Sequence, residues 1–96
     1  MKLIFLIYDT GVDEQIDDLI IKLDISGYTK IFDAQGLGGA GKKIGNAVFP
    51  GLNNVLLINL SEEKLKILSE EIKKLKSTFR INPGISIFAV ESVEMV

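Results

Sequence analysis

The chain has 96 residues, a net charge of −2, a pI near 5.0, and neither cysteine nor histidine. Disulfides, thiol nucleophiles and soft-metal sites therefore lack their side chains, as does the proton shuttle best tuned to neutral pH; carboxylates remain, for magnesium or calcium. The acidic balance argues against a general nucleic-acid binder, and the length fits a single domain over residues 1–96.

Lys2–Tyr8 (KLIFLIY) is a continuous apolar run of strand length. Leu3, Phe5 and Ile7 point one way, Ile4, Leu6 and Tyr8 the other, so both faces are apolar. The run is too short to span a membrane. It enters Asp9 without the small-residue cleavage site of a secretion signal. A soluble, cytoplasmic protein without membrane insertion is expected. Asp9-Thr10-Gly11 turns the chain, with Thr10 as a capping residue three positions before Asp13. Val12, Ile16, Leu19, Ile20 and Leu23 recur at helical spacing. Asp13, Glu14, Asp17 and Asp18 lie near the favourable N-terminal end of that helix and read as a solvated acidic face. Gly27 suits a position just past its end.

Tyr28–Gln35 alternates and predicts a strand with one wetter face. Gly36–Asn54 follows, carrying six of the nine glycines and, as its only charges, Lys42 and Lys43. A connection of this length inside a compact domain is uncommon, and is usually functional or disordered. Val55–Leu60 is a second two-faced apolar strand. Ser61 is the expected N-cap of a second helix, with Glu62 and Glu63 in its first turn and Leu65, Leu68, Ile72 and Leu75 along one face. Lys73, Lys74 and Lys76 match the dipole at its far end. Asn82-Pro83-Gly84 is a turn, and Ile85–Val90 a last strand.

This order, βαββαβ, predicts an α+β, ferredoxin-like fold: a four-stranded antiparallel sheet, two helices on one face, and a long loop between the second and third strands. The other face stays open, although three strands are apolar on both sides. Apolar content of 47% and a mean hydropathy of +0.30 are high for so small a chain. A surface of that kind is rare on a monomer, so burial of the second face by other subunits is expected.

Gly36, Gly38 and Gly41 spell G-x-G-x-x-G, but no helix and no acidic residue follow as a dinucleotide fingerprint requires. The same residues with Lys42 approach a P-loop, whose magnesium-binding hydroxyl is replaced by Lys43. What remains is a cationic, glycine-rich backbone suited to an anion, or a mobile loop with no ligand of its own. Val48 and Phe49 are apolar loop residues: an anchor for a partner protein, or packing against a neighbouring subunit. Arg80 can clamp a phosphate or carboxylate, or be a surface arginine. No nucleophile–base pair is visible.

The chain resembles the nitrogen regulatory protein P-II superfamily of signal-transduction proteins. The resemblance is carried by GYTKIFDAQGLG at Gly27–Gly38, by the long loop between strands two and three, and by NPGISIFAVESV at Asn82–Val93. It implies a homotrimer whose sheets face inward and a small effector, such as an adenine nucleotide, in clefts between subunits. It also implies a T-loop that docks on an unidentified target protein, and regulation rather than catalysis. The expected ligand-binding residues are Gly36, Leu37, Gly38, Gly39, Gly41 and Gly84 in the glycine turns, with Lys42, Lys43 and Arg80 as the nearby cations. The partner-binding residues are Lys42, Lys43, Val48 and Phe49; no catalytic or metal-binding residue is implied. The chain departs from the family pattern in having no Lys or Arg after Arg80 and no Tyr, Ser or Thr from Gly36 to Leu52. A protein-interaction module of the same fold, without a nucleotide, is the alternative. The fold also resembles that of trimeric divalent-cation-tolerance proteins, whose soft-metal ligands are lacking here. An RNA-recognition domain shares the strand order, but needs stacking aromatics and a basic surface.

Overall fold

The structure, a computed structural model, describes residues 1–35, 37–38, 41–42, 52–81 and 83–96, with backbone alone at 37, 38, 41 and 42. The elements run β1 (Lys2–Asp9), a 3-10 turn (Thr10–Val12), α1 (Asp13–Lys22), β2 (Thr29–Ala34), β3 (Leu37–Gly38), β4 (Gly41–Lys42), β5 (Asn53–Leu60), α2 (Glu62–Ser77) and β6 (Ile85–Glu91). β2, β5, β1 and β6 form one antiparallel sheet in that spatial order, while β3 and β4 pair only with each other. The α+β, ferredoxin-like expectation is met.

The hydrophobic pattern sets the register. On β1, Ile4, Leu6 and Tyr8 are fully buried; on β5, Leu56, Ile58 and Leu60 are buried too. α1 lays Ile16 and Ile20 on them and α2 adds Leu68 and Ile72, each pair one helical turn apart. Leu19, Leu23, Leu65, Leu75, Phe79 and Ile87 pack around this core. The opposite face presents Leu3, Phe5 and Ile7 of β1, paired with Val55 and Leu57 of β5 and with Phe88 and Val90 of β6. No described element covers that face. Phe88 is 57% exposed, Val90 50% and Ile31 49%.

Three local expectations are corrected. Thr10 does not cap α1. Asp9 caps the 3-10 turn instead, its carboxylate accepting the Gly11 N–H at 2.9 Å, and Val12 at the head of α1 makes no side-chain cap. At the other end of α1 the left-handed residue is Asp24 (φ 55°), not Gly27. The Ile25 N–H reaches back to the Ile20 carbonyl at 3.0 Å, which closes the helix before Gly27 is reached. β5 begins at Asn53, two residues before the apolar run, because Asn53 and Asn54 pair with Asp9 and Tyr8. The Ser61 cap is as expected: its hydroxyl accepts the Lys64 N–H at 3.2 Å.

Candidate functional site

The antiparallel register gathers at one pole of the sheet the strand ends that flank the expected binding residues. Asp9 ends β1 there, Asn53 begins β5, Ala34 ends β2 and Ile85 begins β6. Two backbone bonds lock the corner: the Asp9 N–H donates to the Gly84 carbonyl and the Thr10 N–H to the Leu52 carbonyl, both at 2.9 Å. The expected ligand residue Gly84 is therefore held against the end of β1. Leu37 and Gly38 pair with Lys42 and Gly41, so four residues of the expected binding turn form a two-stranded ribbon. Arg80 lies in the segment between α2 and β6. Gly36, Gly39, Lys43, Val48 and Phe49, and the side chains of Leu37 and Lys42, lie outside the described residues.

Beneath this pole lies a polar cluster that reading the acidic face of α1 as solvated did not anticipate. The Asp13 carboxylate receives three donors on one oxygen: the Tyr8 hydroxyl at 2.5 Å, Lys30 Nζ at 2.9 Å and Asn54 Nδ2 at 2.9 Å. Lys30 also reaches Asp17 at 2.7 Å, and its ammonium lies 5.4 Å from the Phe32 ring centroid. Asn54 is 2% exposed and Tyr8 fully buried. The cluster forms because Tyr8 closes the helix-facing row of β1, Lys30 faces the same side from the edge strand, and the first turn of α1 passes over both.

The charges follow from these contacts. Burial pushes the Tyr8 hydroxyl up, and the neighbouring Asp13 carboxylate adds to that. Burial opposes ionisation of Asp13, but the hydrogen bonds from Tyr8, Lys30 and Asn54 outweigh it, and the carboxyl sits below its ordinary range. Burial likewise works against the Lys30 ammonium, yet the bonds to Asp17 and Asp13 win and raise it. At neutral pH the cluster thus holds a neutral Tyr8, a charged Lys30 and an ionised Asp13. Sequence reading missed Tyr8, Asp13, Lys30 and Asn54 as a group. Two signals were available: a lysine on the inward parity of β2, and an Asn-Asn pair opening a strand whose only other polar residue is Asn59.

An open groove of about 660 Å³ lies at the opposite pole, between the starts of β1 and α2 and the C-terminal segment. Part of its polar lining is already engaged: Lys64 donates to the Asp24 carbonyl at 3.0 Å, and Ser92 to Asn59 at 2.6 Å. The groove is therefore a poorer candidate than the pole from which the long connection leaves.

A ferredoxin-like domain with an open apolar sheet face and a long connection between β2 and β5 has the fold of PII-like proteins. Solved structures of that type superpose on nearly the whole chain. CPII, a nitrogen regulatory PII-like protein from Thiomonas intermedia K12 bound to ADP, AMP and bicarbonate, matches with a TM-score of 0.68 and 19% identity over 93% of this chain and 84% of that one. Its apo form matches at 0.64 and 15% over 93% and 87%. A PII-like signalling protein from Thermus thermophilus matches at 0.65 and 17% over 93% and 82%. No family sequence model and no curated protein matches the chain. At these identities the likeness is one of fold.

Proposed function

We propose that the protein is a non-catalytic PII-like regulator that works as a homotrimer in the cytoplasm. It takes a small anionic effector in the clefts between subunits and acts on a target protein through the 36–52 connection. The observation that carries this reading is the uncovered apolar sheet face, with Phe88, Val90 and Ile31 about half exposed. A face of that kind on a small domain calls for a protein partner, and a second and third copy of the same face would bury it symmetrically. CPII carries ADP, AMP and bicarbonate, so an adenine nucleotide and a small oxyanion are the effectors to try first. The binding residues are Gly36, Leu37, Gly38, Gly39, Gly41, Lys42, Lys43, Arg80 and Gly84. Lys42, Lys43, Val48 and Phe49 meet the target.

The scarcity of cations favours a second reading, a protein-interaction module of the same fold without a nucleotide. Titration calorimetry of the purified protein with ADP, AMP and bicarbonate separates the two, with light scattering to read the assembly. If the anion is held by the loop cations, Lys42→Ala with Lys43→Ala weakens nucleotide binding by about 1–3 kcal/mol and leaves the trimer intact. Heat of binding unchanged by that double substitution removes the two lysines from the site. Absence of any heat with the wild-type protein leaves the interaction module.

A further inference from the structure

The point where β2 leaves the sheet is irregular. Ile31 pairs with Val55 and Ala34 with Asn53, so Phe32 and Asp33 together face Asn54. Two residues against one is a β-bulge, which leaves an extra residue outside the ladder and bends its strand. Here the bulge holds Asp33 at φ 57°, in the left-handed region, where a non-glycine residue carries strain. The Asp33 N–H is not left unmade: it donates to Asn54 Oδ1 at 3.0 Å. The other end of the same carboxamide donates from Nδ2 to Asp13 at 2.9 Å. The Asn54 carboxamide is buried, although Asp33 itself is exposed, so its end of both bonds is withheld from water.

One side chain therefore connects the strained exit of β2 to the first turn of α1. Asp13 is itself held by Tyr8 from β1 and by Lys30 from β2, and Lys30 is braced by Asp17. We infer that Asn54 is a positioning residue: it latches the Asp33 bulge to Asp13 and thereby sets the course on which β2 enters the ribbon at Leu37–Gly38. The inference stands whether or not the protein binds a nucleotide. Re-aiming the exit of β2 would act on these two bonds, and through them on the start of α1.

The chemistry allows a sharp test, because carboxamide and carboxylate can trade places. Asn54→Asp keeps an acceptor for Asp33 but sets a second carboxylate against Asp13. Adding Asp13→Asn restores a donor–acceptor pair with its polarity reversed, leaving Lys30 with Asp17 and an amide oxygen for Tyr8. Amide hydrogen exchange is followed at Asp33 and, as an internal reference, at Leu6 and Leu56. Asn54→Asp is expected to speed exchange at Asp33 by about tenfold relative to that reference, as loss of one buried hydrogen bond implies. The paired substitution is expected to return it close to wild type. Residual dipolar couplings of the Gly38 and Gly41 amides should show the ribbon reoriented in the single variant and restored in the pair. Equal acceleration at Asp33, Leu6 and Leu56, or no rescue by the pair, reduces the cluster to general stabilisation and overturns the inference. If Asn54→Asp does not fold, the wild-type protein still decides. A scalar coupling through the hydrogen bond, from the Asp33 amide nitrogen to Asn54 Cγ, is expected, and its absence at neutral pH refutes the latch.

Discussion

The two faces of the sheet are built from the same strands with the same alternation, and they end in opposite states. Beneath the helices, Ile4, Leu6, Tyr8, Leu56 and Ile58 are at most 1% exposed. On the other side, Phe88 and Val90 stand half exposed across from Phe5 and Leu3. Hydrophobicity alone does not distinguish them. The difference is which face the helices return to: among the described residues, α1 and α2 both pack on the same one. The covered face makes the domain fold; the uncovered face supplies what a partner surface needs.

The comparison breaks most sharply on neighbouring residues. Leu56 faces the helices and Leu57 the open side. Leu56→Asp places an unpaired charge in the dry core and is expected to cost roughly 4 kcal/mol or more, seen as loss of cooperative thermal unfolding by circular dichroism. Leu57→Asp should leave the protomer folded, within about 1 kcal/mol of wild type, while light scattering reports loss of the assembly. Wild-type protein that is monomeric at micromolar concentration would remove the assembly from the proposed function.

A smaller effect probes the polar end of the covered face. Tyr8→Phe keeps the packing but deletes the bond to the Asp13 carboxylate. A loss of about 1.5–3 kcal/mol in chemical denaturation is expected. The pH dependence follows from the directions of the shifts. Asp13 lies below its unfolded value, so its contribution is present above about pH 4 and is lost as pH falls through the folded value. Tyr8 and Lys30 lie above theirs, so their contributions hold below about pH 10 and fade as pH rises beyond it. Tyr8→Phe should therefore flatten the alkaline limb and shrink the acid one. A denaturation profile of Tyr8→Phe that parallels wild type at both limbs would contradict the charge assignment of the cluster.

The smallest expected effects concern the turn that brings α1 back to the sheet. Asp24 holds φ 55°, and Asp24→Gly should gain about 0.5 kcal/mol by relieving it. A side chain at Gly27 would meet nothing within 4 Å, so Gly27→Ala should be neutral or gain a few tenths, about 0.4 kcal/mol. Paired thermal melts decide. Loss of stability in Gly27→Ala would return the special backbone position to Gly27, where composition first suggested it.

Much of this molecule was legible in its residues. Ile16 with Ile20 and Leu68 with Ile72 announce helices by their spacing, Ser61 announces a cap, and the two-faced strands announce a buried sheet. The order of those elements then leaves one sheet face open, because both helices return to the same side. These are local properties, or sums of local properties, and periodicity carries them. The pole was not legible in this way. Asp13, Tyr8, Lys30 and Asn54 are scattered along the chain, and each has an ordinary local reading: a helix-dipole acid, a strand aromatic, an edge lysine, a turn asparagine. Their meeting on one carboxylate oxygen depends on a bulge opposite Asn54 and on the angle at which α1 crosses the sheet. Local sequence determined which segments become strands and helices, since propensity and alternation act over a few residues. Tertiary structure alone decided that the first acid of α1 is held by donors from three different strands, because a hydrogen bond is short and only the packed chain brings those strands within its reach.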